Sequence, residues 1–444
     1  MAPTKAFIRL FPWLIIAVCA RTQGYTVFQP TCSAPTEPVN FVSAPNSRGT
    51  LEILWSSLFT IFACTWTIQH PNVPEQRDGQ FPGWKGDIRW GLRHAIESLK
   101  LAVATILAPE IVIFVAWCDI CAARYVCSKL DRFAKDDGVP WTMAHSHYAT
   151  MGGFVIRVKK RLENGPGSGQ PYHLTGPDLC YLREKGHIPS LPNLTEEEIG
   201  DKSKSDPLLK ALAIGQILWS IVQISVRTVR GLSISLLELS VLAFAACAIV
   251  VYLLYWSKPK NVNTATTILE FDGEIPATIR ENFTGAIDPI REFLVSNDSA
   301  QDRARDSKGR PIRTLTYHDE GERSDAMVFF MYVVGPALFG GIHIAGWNFF
   351  FPTEVEKILW RCASVYTTAI FLLIMIFSVL EYICLSFFIG ESAASDQSSY
   401  LRPGLAWLYI VARLIILVET FRTLVYLPLD VFTSTWTSEI PHFS

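Results

Sequence analysis

The feature of this sequence that most constrains its fold is a series of long apolar runs. A helix needs about 20 predominantly apolar residues to cross the hydrocarbon core of a bilayer. The candidate runs are residues 51–68, 101–122, 208–226, 232–256, 327–347, 362–389 and 404–427. The third run is diluted by Gln216, Gln223, Arg227 and Arg230, so an alternative is that it lies in the plane of the interface. The sequence therefore predicts an all-α fold, a polytopic transmembrane helical bundle of about seven spans.

The composition agrees with a membrane protein and excludes other classes. Charged residues make up 18% of the chain, compared with about 25% in an average soluble domain. Lys and Arg (39) nearly balance Asp and Glu (41), so there is no basic footprint for nucleic acid. The expected partners are therefore membrane lipids, and neither DNA nor RNA is expected.

The amino terminus indicates a targeting segment. Lys5 and Arg9 precede a short apolar stretch that ends in small residues, which is typical of a cleaved secretory signal at residues 1–20, with an uncleaved anchor as the alternative. We therefore expect the protein in a membrane of the secretory pathway, with the endoplasmic reticulum as the preferred compartment.

The apolar runs divide the rest of the chain. A first membrane section, 51–256, holds four spans and a polar loop at 123–207. A second polar loop, 257–325, precedes a three-span section at 327–427 and a tail at 428–444. Seven spans place both polar loops on one face, and a signal peptide makes that face lumenal. The glycosylation sequons at Asn193, Asn282 and Asn297 lie in these loops.

No pattern in the sequence predicts a metal or another cofactor. Cys118 and Cys121 form a C-x-x-C pair without the second ligand pair of a zinc site. Asp136 and Asp137 stand alone, whereas enzymes that ionise a prenyl diphosphate need several carboxylates to hold magnesium. Metal-dependent prenyl chemistry is therefore disfavoured.

The most informative residues are acids inside apolar runs, namely Glu110, Glu238, Glu381 and Glu419. An ionisable group at the centre of a span costs at least about 2.5–3.5 kcal/mol, so it normally faces the bundle interior and has a partner or a function. At 1.5 Å per residue, Glu110 lies about 14 Å, Glu238 about 9 Å and Glu419 about 12 Å from the same membrane face.

Two of these acids have an expected cation. Glu381 lies about 12 Å and Arg413 about 14 Å from the opposite face, so they are expected to pair across neighbouring helices. Glu419 has Arg422 one turn away. Glu110 and Glu238 have no such partner, and burial without a cation favours the uncharged acid. Each is then either a hydrogen-bonded helix fastener or a general acid.

Aromatic residues lie in the same runs. The candidates for lining a substrate site are Trp117, Trp219, Tyr252 and Trp347. The alternative for those near span ends is an aromatic belt at the membrane interface. Aromatic faces stabilise cations, so a dry cavity with a neutral acid and aromatic walls suits carbocation chemistry.

Five segments resemble a large family of multi-pass membrane proteins of filamentous fungi. They are residues 54–62 (LWSSLFTIF), 64–70 (CTWTIQH), 253–259 (LLYWSKP), 341–352 (GIHIAGWNFFFP) and 359–361 (LWR). Proteins of this kind include the integral-membrane terpene cyclases of meroterpenoid biosynthesis, of the ascofuranone and macrophorin type. The resemblance implies an isomerase or lyase of secondary metabolism that protonates an alkene or epoxide on a prenyl chain, without metal or diphosphate.

The resulting hypothesis is a metal-independent terpene cyclase acting on a lipophilic prenylated small molecule. Glu110 or Glu238 is the expected proton donor, Glu419 its supporting partner, and Trp219 with nearby aromatic rings the cation stabiliser. A transporter or channel is the alternative, favoured by broken helices near the midplane, for which Pro109 and Gly335-Pro336 are candidates. A non-catalytic membrane protein of a biosynthetic cluster is a further alternative.

Overall fold

The computed structural model describes residues 47–74, 76, 83–158, 171–204, 207–271, 333–389 and 401–436. The predicted signal at 1–20 and the sequons at Asn282 and Asn297 lie outside these residues. Asn193 is exposed in a loop.

Helices dominate the described residues. In chain order they are α1 (Thr50–Thr67), α2 (Trp84–Leu107), α3 (Pro109–Asp137), α4 (Met143–Thr150), α5 (Gly176–Glu184), α6 (Glu196–Lys202), α7 (Pro207–Val229), α8 (Leu236–Leu254), α9 (Gly335–Ile344), α10 (Glu354–Ile389) and α11 (Leu401–Arg422). Short 3-10 helices follow at Ala345–Asn348, Thr423–Val425 and Leu429–Phe432.

Within the described residues, five helical segments are long and apolar enough to cross a membrane. They are Pro109–Asp137, Lys210–Val229, Leu236–Leu254, Glu354–Ile374 and Gly404–Val425. The predicted polytopic helical bundle is therefore supported, but the count differs from seven. Residues 51–68 form α1, which is not among the five, and residues 327–347 are described only from 333 onward.

The dilution of the third run has a structural explanation. Arg227, near the end of α7, is almost fully buried, and its guanidinium donates to the carbonyl oxygens of Ser233, Asp430, Val431 and Thr433 at 2.8–3.1 Å. Backbone oxygens satisfy this charge, and Lys210–Val229 is among the five segments long and apolar enough to cross a membrane.

The second run is divided. Residues 101–107 end α2, Ala108 leaves helical geometry with φ −146° and ψ 69°, and α3 starts at Pro109. Along α2, exposed apolar side chains recur every three or four residues, which is the pattern of a helix that presents one face to lipid. They are Trp84, Ile88, Leu92, Ile96, Leu99 and Val103.

The two polar loops assemble into one domain at one end of the bundle. β1 (Phe154–Val158) is the central strand of a three-stranded sheet; it pairs antiparallel with β2 (Tyr172–His173) and parallel with β3 (Thr266–Phe271). The first two strands come from the loop 123–207 and the third from the loop 257–325, so both loops meet at what we call the sheet end. Tyr148, Phe154 and Leu174 are among the buried core of this domain.

The opposite end of the bundle is closed by both ends of the described chain. Ser47 bridges to Thr433, and Arg48 N–H donates to the Phe432 carbonyl at 2.9 Å. We call this end the clasp end. At the clasp end Arg48 contacts Glu238, and at the sheet end His70 contacts Tyr255. Helices α1 and α8 therefore run parallel.

Candidate functional site

The site is built around the break between α2 and α3. Pro109 has no N–H, and the Ile111 N–H donates to the Ala108 carbonyl at 3.1 Å. Leu107 thereby loses the donor that its carbonyl has in a continuous helix. Arg413 of α11 replaces it, with Nε 2.7 Å from the Leu107 oxygen and Nη2 3.1 Å from the Ile106 oxygen.

Glu110 lies on the other side of the break, in the first turn of α3, and is 3% exposed. The Tyr409 hydroxyl donates to Glu110 Oε1. Glu110 Oε2 is buried and has no hydrogen-bond partner among the described residues. A carboxylate suits this position because the amino end of a helix carries a partial positive charge. Glu110 therefore has one anchored oxygen and one open oxygen.

Arg413 completes the electrostatic pattern. Its guanidinium is buried against the carbonyl end of α2, where the helix dipole favours a cation, and lies 4.2 Å from the ring centroid of Phe339. Its charge acts on Glu110. Arg413 Nη1 has no hydrogen-bond partner among the described residues. Glu110 and Arg413 thus each keep one polar atom without a partner among the described residues of the bundle interior.

A second helix, α9, approaches the break at Glu110. Helix α9 starts at Gly335-Pro336, inside the predicted fifth run, and follows a short π-helical turn. A Cβ at Gly335 would lie 3.2 Å from the Glu110 carbonyl oxygen and 3.3 Å from its Cβ. Only glycine gives the backbones of α3 and α9 this close approach without displacement. The two sequence positions proposed as breaks are therefore in contact.

Small polar side chains continue the site toward the clasp end. Ser240 Oγ lies 3.3 Å from His343 Nε2 and 3.5 Å from Thr420 Oγ1. His343 Nδ1 lies 2.8 Å from the Phe339 carbonyl oxygen. These residues are buried on three different helices. They place hydrogen-bonding groups along the bundle interior between the Glu110 site and the clasp end.

The expectation that Glu238 lacks a cation is wrong. Arg48 binds both of its oxygens, with Nη1 2.6 Å from Oε1 and Nη2 3.1 Å from Oε2. The Ser235 N–H and hydroxyl each donate to Oε2 at 2.9 Å, which makes Glu238 part of the capping box of α8. Arg48 was missed because it precedes the apolar run and is far away in the sequence. Glu238 is a fastener at the clasp end.

The expected pair of Glu419 and Arg422 is not in hydrogen-bond contact, although the charge of Arg422 acts on Glu419. Arg422 Nη2 lies 3.7 Å from Glu356 Oε1, at the start of α10, and Glu419 Oε2 is buried without a hydrogen-bond partner among the described residues. Glu419 is ten residues after Tyr409, about 15 Å along α11. It therefore does not support Glu110. The Glu381 side chain lies outside the described residues, and with it the predicted pair with Arg413.

The four predicted aromatic residues are not brought together. Trp347 is at the clasp end, where the Arg361 guanidinium lies 4.8 Å from its ring centroid, whereas Tyr252 is near the sheet end of α8. Trp117 lies about 10 Å beyond Glu110 along α3, and Trp219 is on α7. The rings at the site belong to Tyr409, Phe371 and Phe339.

Tyr409 and Arg413 are the residues that sequence reasoning missed at Glu110. A signal was present, because they are four residues apart in an apolar run and so share one face of a helix. Among the described residues, no group of three His, Cys, Asp or Glu side chains is placed to hold a metal ion.

These observations define a class: a helical protein whose described residues include five helices long and apolar enough to cross a membrane, with a buried site at the break between α2 and α3. Residues 22–292 and 327–443 match the model of a family of unknown function, DUF8562, and the chain belongs to that family. No curated protein and no solved structure matches the chain.

Proposed function

We propose that Glu110 is the proton donor of an intramembrane terpene cyclase, which starts the cyclisation of the prenyl chain of a meroterpenoid. The observation that carries this proposal is the carboxyl group itself: Oε1 is held by Tyr409, and the buried Oε2 has no partner among the described residues. A proton on Oε2 is available to a substrate. Glu238, the other candidate, is held by Arg48 and Ser235.

Tyr409 and Arg413 lie beside the carboxyl group of Glu110. The bond from Tyr409 stabilises the carboxylate that remains after the proton has left, and the positive charge of Arg413 acts in the same direction. Protonation of an alkene or epoxide needs such an acid in dry surroundings. General acid catalysis of this kind contributes about 10²–10⁴-fold to a rate.

The proposed reaction balances without a cofactor. The Oε2 proton adds to the terminal alkene or to the epoxide oxygen, and the internal double bonds attack the resulting cation in turn. The last cation then loses a proton, which returns through water to the Glu110 carboxylate, so that the acid is regenerated and the product is an isomer of the substrate. The rings of Phe339, Phe371 and Tyr409 supply aromatic faces for positive charge. A lipophilic substrate reaches the site from the bilayer, in a membrane that we assign to the endoplasmic reticulum.

A proton-coupled transporter is the second candidate, and one specific observation favours it. The helical run is interrupted between α2 and α3, directly before Glu110, and α9 packs closely against this point. Discontinuous helices with a charged group at the break are typical of secondary transporters. In that case Glu110 takes up and releases a proton that crosses the membrane.

Product formation separates the two candidates. The chain is expressed in a host without the pathway, and a linear prenylated phenol or epoxycyclohexenone is supplied to the membranes. We expect a cyclised isomer from the wild type and a loss of at least about 100-fold in Glu110→Gln. Glu419→Gln is the matched control, because it makes the same acid-to-amide change in a buried residue away from the site.

The same variants in proteoliposomes test transport. Protein is reconstituted with a pH-sensitive dye inside, and a pH gradient is imposed with and without candidate solutes. Folded wild-type protein that forms no cyclised product refutes the cyclase. Proton movement that is abolished in Glu110→Gln and kept in Glu419→Gln supports the transporter instead.

A further inference from the structure

A cluster of buried basic side chains lies at the sheet end, about where α1 and α8 leave the apolar bundle. Lys260 Nζ donates to the carbonyl oxygen of Thr67, the last residue of α1, at 2.6 Å. Lys258 follows the end of α8, and the His70 ring lies 4.8 Å from that of Tyr255. Lys258 and Lys260 are only 5% and 8% exposed. Lys258, Lys260 and His70 are thus all buried at the sheet end.

Little negative charge balances this cluster within the described residues. Asp119 of α3 accepts from Lys258 Nζ at 2.6 Å and from the Tyr255 hydroxyl at 2.8 Å. Among the described residues, the Lys260 ammonium donates a hydrogen bond to a backbone carbonyl and not to a carboxylate. Burial first, and the charge of Lys210 second, lower the pKa of Lys260 to about 8. The cluster therefore carries uncompensated positive charge.

His147 of α4 points to a ligand independently of the lysines. It is completely buried, and neither of its ring nitrogens has a hydrogen-bond partner among the described residues. Burial first, then the charges of Lys258 and Arg124, lower its pKa to about 3. An imidazole without a partner costs the free energy of a buried unsatisfied polar group. The neutral ring has one N–H, and a bound group with acceptor oxygens would accept its hydrogen bond.

We propose that His147, Lys258, Lys260 and Arg124 form a binding site for a phosphate group. An ammonium has three donors, and Lys258 and Lys260 each use one in their described side-chain bonds, so donors remain for phosphate oxygens. Arg124 is exposed on α3, so the proposed site reaches the protein surface at this residue. A phosphate at this position removes the charge imbalance and gives His147 an acceptor.

The site stands apart from the Glu110 site. Lys258 is held by Asp119, nine residues after Glu110 and about 14 Å further along α3. The phosphate therefore does not take part in the chemistry at Glu110, and the proposal does not depend on the proposed function. Its source is either a lipid headgroup or free phosphate in the aqueous phase, because the chemistry of the bound group is the same.

Binding to the purified full chain tests the site. The protein is purified in neutral detergent and titrated with inorganic phosphate by calorimetry. In a second arm it is reconstituted in phosphatidylcholine nanodiscs with and without phosphatidate, and retained lipid is counted by native mass spectrometry. Binding in the first arm identifies free phosphate as a ligand; retention of phosphatidate alone identifies a lipid headgroup.

Variants separate the site from general charge effects. We expect Lys260→Gln and His147→Asn each to weaken phosphate or phosphatidate binding at least tenfold, and Lys260→Arg to keep it. Lys135→Gln is the matched control, since Lys135 is exposed on α3 and pairs with Asp131. Unfolding temperatures without ligand identify any variant that fails to fold.

Two results overturn the proposal. One is a wild type that binds neither probe. The other is binding that Lys260→Gln and His147→Asn leave unchanged while both proteins are folded.

Discussion

Replacing Arg48 with methionine should destabilise the protein strongly, although Arg48 precedes the first residue of α1, Thr50. Its guanidinium binds both oxygens of Glu238, and its Nε donates to the Val431 carbonyl at 2.7 Å. The side chains of Arg48 and Glu238 are 11% and 10% exposed. Methionine keeps most of the apolar stem and removes the charge and the donors.

The expected cost follows from what is left behind. Without Arg48, Glu238 remains a buried carboxylate with only the two bonds from Ser235. Removing one partner of a buried ion pair costs about 3–5 kcal/mol, because the other charge stays desolvated. The lost bond to Val431 adds about 1 kcal/mol. We therefore expect Arg48→Met to lower the free energy of unfolding by about 4–6 kcal/mol.

A double-mutant cycle measures this loss. Unfolding of Arg48→Met, Glu238→Gln and the double variant is followed in mixed micelles of increasing denaturing-detergent fraction. The double variant should be much less destabilised than the sum of the single variants, with a coupling free energy of about 1.5–3 kcal/mol. Lys357→Met and Glu354→Gln are the control, since this exposed pair should couple by less than about 1 kcal/mol.

Equal coupling for the two pairs would refute the reasoning. It would mean that Glu238 does not depend on Arg48, and Glu238 would again be a candidate acid. A loss of stability in Arg48→Met that Glu238→Gln fails to relieve would assign the effect to Val431 instead.

Two further predictions use side chains away from the clasp end. Gly340→Ala should lower the free energy of unfolding by about 1–3 kcal/mol, because its Cβ would lie 2.9 Å from backbone atoms of Thr368. Gly341→Ala has open space at its Cβ and should leave stability unchanged or raise it. Thermal unfolding of both variants measures the difference. The free energy of unfolding should rise between about pH 8 and pH 10.5, because Lys260 loses its proton near pH 8 when folded and near its ordinary value of 10.5 when unfolded. The unfolded chain therefore binds more protons in this range, and Lys260→Gln should flatten the rise; a pH series of unfolding measurements decides.

The bundle was predictable because long apolar runs have few ways to fold. The apolar character and length of the runs placed α7, α8, α10 and α11 close to their observed positions. The break at Pro109 was visible as well, since proline removes a helix donor. The sequence did not reveal how the two polar loops assemble, because a sheet of strands from distant segments leaves only short and ambiguous patterns.

The partners of the acids were predicted less well, for a physical reason. Local reasoning finds cations one turn away, such as Arg422, but in the bundle interior a guanidinium reaches any helix packed beside it. Arg422 lies next to Glu356, and Glu238 is held by Arg48, 190 residues away. Sequence distance therefore says little about which charges meet.

Depth would have been the better guide for Glu110. Counted from the ends of the predicted runs, Glu110 and Arg413 are expected about 14 Å from opposite membrane faces, and the two depths add to about 28 Å, close to the thickness of a hydrocarbon core of about 30 Å. This count predicts the two residues at one level, and the structure places them at one helix break. A cation and an acid at the same depth need only neighbouring helices to meet. Arg413 therefore belongs to the Glu110 site, and its removal should leave the carbonyls of α2 unsatisfied as well as the acid unsupported.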